Sequence, residues 1–308
     1  MSRGAFLGTS EFAATVLDQI AASDQRPSLV VTLPDRRQGR GRQELPSPVA
    51  VAAENLDIEV FKCGDVNDPE AAARLVKAGG GWASICAFGQ LIKEPLLTDL
   101  PMLNVHPSLL PRWRGAAPIE RAIMASDEET GVAVMRLVAG LDSGPVAMVE
   151  PTEIDESEDF GSLSERLAEI GGHLLIRALE AASAGEIEWT GQDEAEVTYA
   201  EKITPEERRL VPLGRARELH DKVRALNPHI GAFLALEGDD RLAVKATTVI
   251  DRPSWGPGEI IGDDGDLLLS CADRTLRLDV VQPPGKTAMD AASYLRGHGL
   301  PDLVPVAG

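Results

Sequence analysis

Two short polar clusters in this 308-residue chain have the residue types and spacing for proton transfer and charge stabilisation. The first lies in Asn104-Val105-His106-Pro107-Ser108-Leu109-Leu110-Pro111-Arg112-Trp113-Arg114-Gly115-Ala116-Ala117-Pro118-Ile119. Residues two apart in an extended chain point to the same face, so Asn104 and His106 present an amide donor beside a titratable imidazole. Such a pair is suited to steadying a developing oxyanion and moving a proton. The plainer alternative is a strand end whose histidine merely finds a partner, as most buried polar groups do. The second cluster is Gly140-Leu141-Asp142-Ser143-Gly144-Pro145. Asp142 between glycines is either turn chemistry or a carboxylate serving the first cluster, and its distance from Asn104 and His106 separates the two.

A third cluster, Arg36-Arg37-Gln38-Gly39-Arg40-Gly41-Arg42, is basic in an acidic chain of net charge -19. A solvated surface loop is the ordinary reading of such a run. The other is a contact for phosphates or exposed bases. Residues 209–308 hold 12 basic and 14 acidic side chains, leaving 18 basic and 35 acidic in 1–208. Nucleic acid is bound through Lys and Arg. An acidic body with one basic loop therefore favours selective over general RNA binding.

The elements that must position these clusters alternate. Short apolar runs at 5–7, 29–33, 58–61, 83–88 and 102–106 read as strands, and helical periodicity separates them. Residues 132–138 and 146–149 resemble an antiparallel pair, followed by a long helix over 163–184. This pattern implies an α/β domain, doubly wound on a mostly parallel sheet, with ligands bound beyond the carboxyl ends of the strands. A helix over 213–226 and five short runs (231–236, 242–249, 259–261, 267–271, 276–281) with Gly and Asp turns suggest a smaller OB-like β-barrel. The expected organisation is a catalytic domain over 1–188, an acidic linker over 189–208 and the barrel over 209–308.

Composition removes other classes. Cys63, Cys86 and Cys271 are odd in number and far apart, which suits neither a disulfide framework nor a zinc site. No apolar run approaches the roughly 18–20 residues of a membrane span, and the first residues turn polar too soon for a signal peptide. A cytoplasmic protein without membrane association is expected. Gly8 alone is no dinucleotide-binding fingerprint.

The run from Asn104 to Ile119, with Gly131-Val132 and Gly140 to Gly144, resembles the folate-dependent formyltransferases. Matching pieces outside it are Leu7-Gly8-Thr9-Ser10-Glu11-Phe12-Ala13, Pro34-Asp35-Arg36, Ala87-Phe88-Gly89, Thr198-Tyr199-Ala200-Glu201-Lys202-Ile203 and Asn227-Pro228. The resemblance implies transfer of a formyl group from N10-formyltetrahydrofolate to an amine. Asn104, His106 and Asp142 would form the catalytic set. Asn104 and a protonated His106 would donate to the oxyanion while Asp142 holds that proton and relays it. The folate site would comprise Ser108, Leu109, Leu110 and Pro111, with main chain from Phe88, Gly89, Gln90 and Leu91. Arg36, Arg37, Arg40 and Arg42 would meet tRNA, because the favoured amine is that of methionine on initiator tRNA. No metal is called for, and a monomer is expected. A sugar nucleotide or glycinamide ribonucleotide is the rival acceptor within this family. A noncatalytic RNA-binding α/β protein is the rival from another class, and it would have no need of His106 or Asp142.

Overall fold

The computed structural model describes residues 4–38 and 43–304. In chain order the elements of the first part are β1 (Ala5–Gly8), α1 (Glu11–Ala21), β2 (Leu29–Thr32), β3 (Arg36–Gln38), β4 (Gln43–Leu45), α2 (Pro48–Asn55), β5 (Glu59–Lys62), α3 (Pro69–Gly79), β6 (Ala83–Cys86), α4 (Leu96–Asp99), β7 (Met102–His106), β8 (Arg114–Gly115), α5 (Pro118–Met124), β9 (Glu129–Arg136), β10 (Val146–Glu153), α6 (Phe160–Ala184) and β11 (Tyr199–Ala200). Then follow α7 (Ala216–Leu226), β12 (Ala232–Ala235), β13 (Arg241–Pro253), β14 (Ile260–Asp263), β15 (Asp266–Ser270), β16 (Arg274–Gln282), β17 (Met289–Asp290) and α8 (Ala291–His298).

The chain forms two compact units. One comprises the chain up to Pro118, Glu129–Glu153 and Ser164–Ala200; the other comprises Ile119–Glu128, Ile154–Leu163 and the chain from Glu201. The stretch 189–208, read from sequence as a linker, is thus apportioned between the two.

The first unit is built on a seven-stranded sheet in the order β10-β9-β7-β6-β1-β2-β5. The pairs β1–β2, β1–β6, β2–β5 and β6–β7 are parallel. β9 runs antiparallel to both β7 and β10. Strand order reverses between β1 and β6, which makes the ends of these two strands the natural ligand crevice. Their sequences explain their place, since AFLG, LVVT and ASIC are buried at every residue, as strands covered on both faces must be. Leu7, Val31, Leu75, Ile85, Phe88 and Met102 belong to one core cluster.

Local signals position the helices. Ser10 caps α1 by accepting from the Ala13 N–H, satisfying one of the free donors of the first turn. Helix α6 lies directly behind the strand of the first polar cluster, where a Cβ on Gly171 would stand 2.8 Å from Val105 Cγ1. β6 stops at Cys86, two residues short of the expected end. Ala87 adopts φ +43 there, a left-handed turn that ends the extended run.

The second unit carries a sheet in the order β12-β13-β16-β15-β14, with β17 on β16 and antiparallel neighbours throughout. Helix α7 packs on β13 and β16. The five expected strands are present, but among the described residues β12 and β14 remain edges and the barrel does not close. Asp221 on α7 is fully buried and accepts from Ser126 Oγ (2.5 Å), Arg217 Nε (2.9 Å) and Arg224 Nε (2.7 Å). Arg224 also donates to the Asp155 and Glu158 carbonyls. These bonds tie the segments 119–128 and 154–163 to α7. Among the described residues no helix is long and apolar enough to cross a membrane.

Candidate active site

Strand β7 carries the first polar pair. All five of its residues are buried, and it is hydrogen-bonded on both sides, to β6 and to β9. Its backbone is therefore fixed, and strand alternation aims Asn104 and His106 the same way. Both line one cavity of about 570 Å³ in the first unit, at 9% and 4% exposure respectively. Among the described residues the Asn104 side chain has no hydrogen-bond partner, so its amide is presented to the cavity with donors to spare.

His106 is held more tightly. Its Nε2 lies 2.8 Å from the Trp113 carbonyl. A carbonyl only accepts, so Nε2 carries the proton and donates it there. Trp113 itself sits at φ +64, a costly conformation that persists only where surrounding bonds enforce it. The enforcing bonds come from far along the chain: Trp113 N–H donates to Thr198 Oγ1 (2.9 Å) and Arg114 N–H to the Thr198 carbonyl (2.9 Å). β8 then pairs with β11 in parallel.

Asp142 reaches this pair. Its Oδ2 accepts from the Gly115 N–H at 2.8 Å and lies 3.7 Å from His106 Nδ1. That second distance is ion-pair range and longer than a hydrogen bond. Asp142 adopts φ +44. Ala87, Trp113 and Asp142 are thus three left-handed non-glycine residues in or beside one site, the kind of clustering seen where backbone strain serves function.

The cavity has the size of a small-molecule site. Phe88, Gly89, Gln90 and Leu91 form one wall, and 137–142 form another. Leu91 and Leu141 are large apolar side chains at 67% and 61% exposure. Thr9 Oγ1 donates to the Phe88 carbonyl at 2.8 Å and pins that wall to the end of β1. The Gln90 amide is anchored, accepting from Val66 N–H and donating to the Cys63 carbonyl. Cys86 also lines the cavity, and full burial pushes its thiol above the ordinary range. All three cysteines are free and buried.

One expectation falls elsewhere. Ser108, Leu109, Leu110 and Pro111 are absent from the cavity wall, although Pro107 is present. The chain turns away there: Ser108 is fully buried and its hydroxyl donates to the Arg112 carbonyl at 2.6 Å. Leu110 packs on Ala133, Met135 and Val146. Arg36 is exposed on β3, which pairs antiparallel with β4 and includes Arg37. Arg40 and Arg42 lie outside the described residues. Sequence reasoning included Thr9, Trp113, Gly115 and Thr198 in motifs but gave no role to the Thr9 and Thr198 hydroxyls, the Trp113 carbonyl or the Gly115 N–H. Two of these act through main-chain atoms, which leave no side-chain signature.

Comparison with known proteins places these features in context. Residues 2–179 match the family model described as formyl transferase, and residues 202–299 match the formyl transferase C-terminal domain. The chain is 41% identical over 300 residues to a methionyl-tRNA formyltransferase of Methylobacterium sp. (strain 4-46), covering 96% of each chain. It is 41% identical over 297 residues to the enzyme of the same name from Methylococcus capsulatus, again covering 96% of each. Among solved structures, an N-formyltransferase from Helicobacter canadensis in complex with folinic acid and dTDP-3-aminofucose superposes with a TM-score of 0.67. That match has 16% identity and covers 90% of this chain and 99% of the other. HypX from Aquifex aeolicus in complex with tetrahydrofolic acid gives a TM-score of 0.65 at 17% identity, with 99% of this chain spanning 49% of that longer one.

Proposed function

The chain belongs to the formyl transferase family, and from that premise we propose that it moves the formyl group of N10-formyltetrahydrofolate onto the amine of methionine carried by initiator tRNA. The observation that carries the reading is the convergence of Asn104, His106 and Asp142 at one cavity. Full-length similarity at 41% identity to enzymes named for methionyl-tRNA supports the choice of acceptor.

The residues present fit a folate. The 88–91 wall and the 137–142 wall offer main-chain donors and acceptors beside apolar surface, which suits a flat, polar-edged ring. Ser108–Pro111 shapes the site from behind, holding the turn that brings the Trp113 carbonyl to His106.

The chemistry then follows from which atoms are free. The amine attacks the formyl carbon and negative charge develops on its oxygen. Asn104 donates to that oxygen, an interaction whose loss typically costs about 10²–10³ in turnover. His106 Nε2 is committed to the Trp113 carbonyl, so Nδ1 exchanges the proton. It takes one from the attacking amine and returns one to the departing folate nitrogen, so no net proton is gained or lost. Asp142, 3.7 Å from Nδ1, stabilises the imidazolium formed in between. Arg36, Arg37, Arg40 and Arg42 remain the proposed contact for tRNA, and the protein is taken to act in the cytoplasm as a monomer.

The test offers labelled N10-formyltetrahydrofolate with Met-charged initiator tRNA, Met-charged elongator tRNA or a dTDP-linked amino sugar. Label is expected on the initiator tRNA alone. Label confined to the amino sugar would reassign the acceptor, and label on none would remove the activity.

A further inference from the structure

The stretch 190–200 carries no chemistry in the reading above, yet its bonds converge on the acid–base pair. Thr190 pairs with Val146 through two main-chain hydrogen bonds and anchors the stretch on β10. Two residues on, Gln192 spends its whole amide on the site. Its Nε2 donates to the Asp142 carbonyl and to the Gly144 carbonyl, both at 2.8 Å. Its Oε1 accepts from Arg114 Nε at 2.9 Å. Arg114 is nearly fully buried and is held in turn by Glu194 (2.8 Å). One side chain therefore joins the loop that carries Asp142 to the turn that supplies the Gly115 N–H, the donor to Asp142 Oδ2.

We propose that Gln192 is a positioning residue that holds Asp142 in register with His106, acting through Asp142 without touching substrate. The proposal rests on the reading of Asn104, His106 and Asp142 as the reacting set. The left-handed Asp142 is costly for a residue with a Cβ, so something must hold it. The two Nε2 bonds grip the carbonyl of that same residue and the carbonyl two residues on, which fixes both ends of the strained turn. Without them the turn relaxes and Oδ2 drifts from both Gly115 N and His106 Nδ1. A misplacement of about 1 Å costs about 10²-fold in rate.

A double-mutant cycle on the full chain tests this, with kcat and KM measured for formyl transfer from N10-formyltetrahydrofolate to Met-charged initiator tRNA and melting temperature recorded alongside. The variants are Asp142→Ala, Gln192→Ala, Gln192→Glu and Asp142→Ala combined with Gln192→Ala. Gln192→Ala is expected to lower kcat between about tenfold and 10²-fold with little change in either KM. Gln192→Glu keeps the acceptor for Arg114 and loses both donors to the loop, so it should match Gln192→Ala, and it serves alone if the alanine variant does not fold. The double variant should be no slower than Asp142→Ala, because residues acting through one another do not add. Full kcat in the Gln192 variants, or losses that multiply in the double variant, would overturn the positioning role. Full kcat in Asp142→Ala would overturn the reaction-centre reading as well.

Discussion

Each unit holds an aspartate among hydrogen-bond donors, one partly exposed and one fully buried, and the two are used in opposite ways. Asp221 in the second unit is fully buried, with Ser126, Arg217 and Arg224 all donating to it. Asp142 in the first unit has one backbone donor, Gly115, and an imidazole at 3.7 Å. A carboxylate offers about four lone-pair sites. Three of them taken, as at Asp221, they tie the turn at Ser126 to α7. Partly open beside an imidazole, as at Asp142, they remain available to a proton that moves. The count of committed partners therefore separates scaffold from chemistry. Asn104 falls on the same side as Asp142, lining the cavity with no partner among the described residues.

Asp221→Ala breaks the comparison at its scaffold end. Removing one partner from a buried ion cluster strands the others, so the variant should lose about 3–5 kcal/mol of stability. Chemical denaturation followed at the second unit reads this loss, and turnover per folded molecule should stay unchanged. A fall in turnover with stability intact would place Asp221 among the reacting groups and dissolve the contrast.

A smaller effect sharpens it. His220 neighbours Asp221 on α7, is half-buried, and bonds through Nδ1 to Thr247 Oγ1 at 2.9 Å. Burial pushes its pKa below the ordinary histidine value, and the nearby Arg224 and Arg217 act in the same direction, against Asp221. The folded state therefore resists a proton that the unfolded chain takes up. The stability tied to this group is whole above the ordinary histidine range near about pH 6.5 and falls as pH drops through it toward the folded pKa. Melting temperature measured against pH should fall less steeply in His220→Gln than in the parent below about pH 6.5. Identical slopes would remove His220 from the account of that unit.

Periodicity alone made a good part of this legible. Alternation placed Asn104 and His106 on one face, and strand-helix alternation implied the doubly wound sheet and the rim where the cavity lies. Other features had no local pattern to expose them. The bond from Trp113 N to Thr198 spans 85 residues and that from Gln192 to Asp142 spans 50. The Trp113 carbonyl and the Gly115 N–H are groups that every residue type possesses. Lack of helical periodicity made 189–208 read as a linker, yet periodicity says nothing of an irregular stretch that pairs, at Thr190 and again at Tyr199, with a sheet element. Ser108–Pro111 and Gln90 illustrate the converse. They sit in or near motif positions, but the Ser108 hydroxyl and the Gln90 amide brace turns around the site.

The central claim is that the uncommitted polar groups of the first unit perform the transfer, with His106 Nδ1 as the proton carrier. Its most direct test is the single-turnover rate of formyl transfer to Met-charged initiator tRNA at saturating substrates, in the parent and in His106→Ala. The account predicts a rate lower by about 10²–10⁴ with melting temperature little changed. A His106→Ala enzyme that transfers formyl at the parent rate would contradict it.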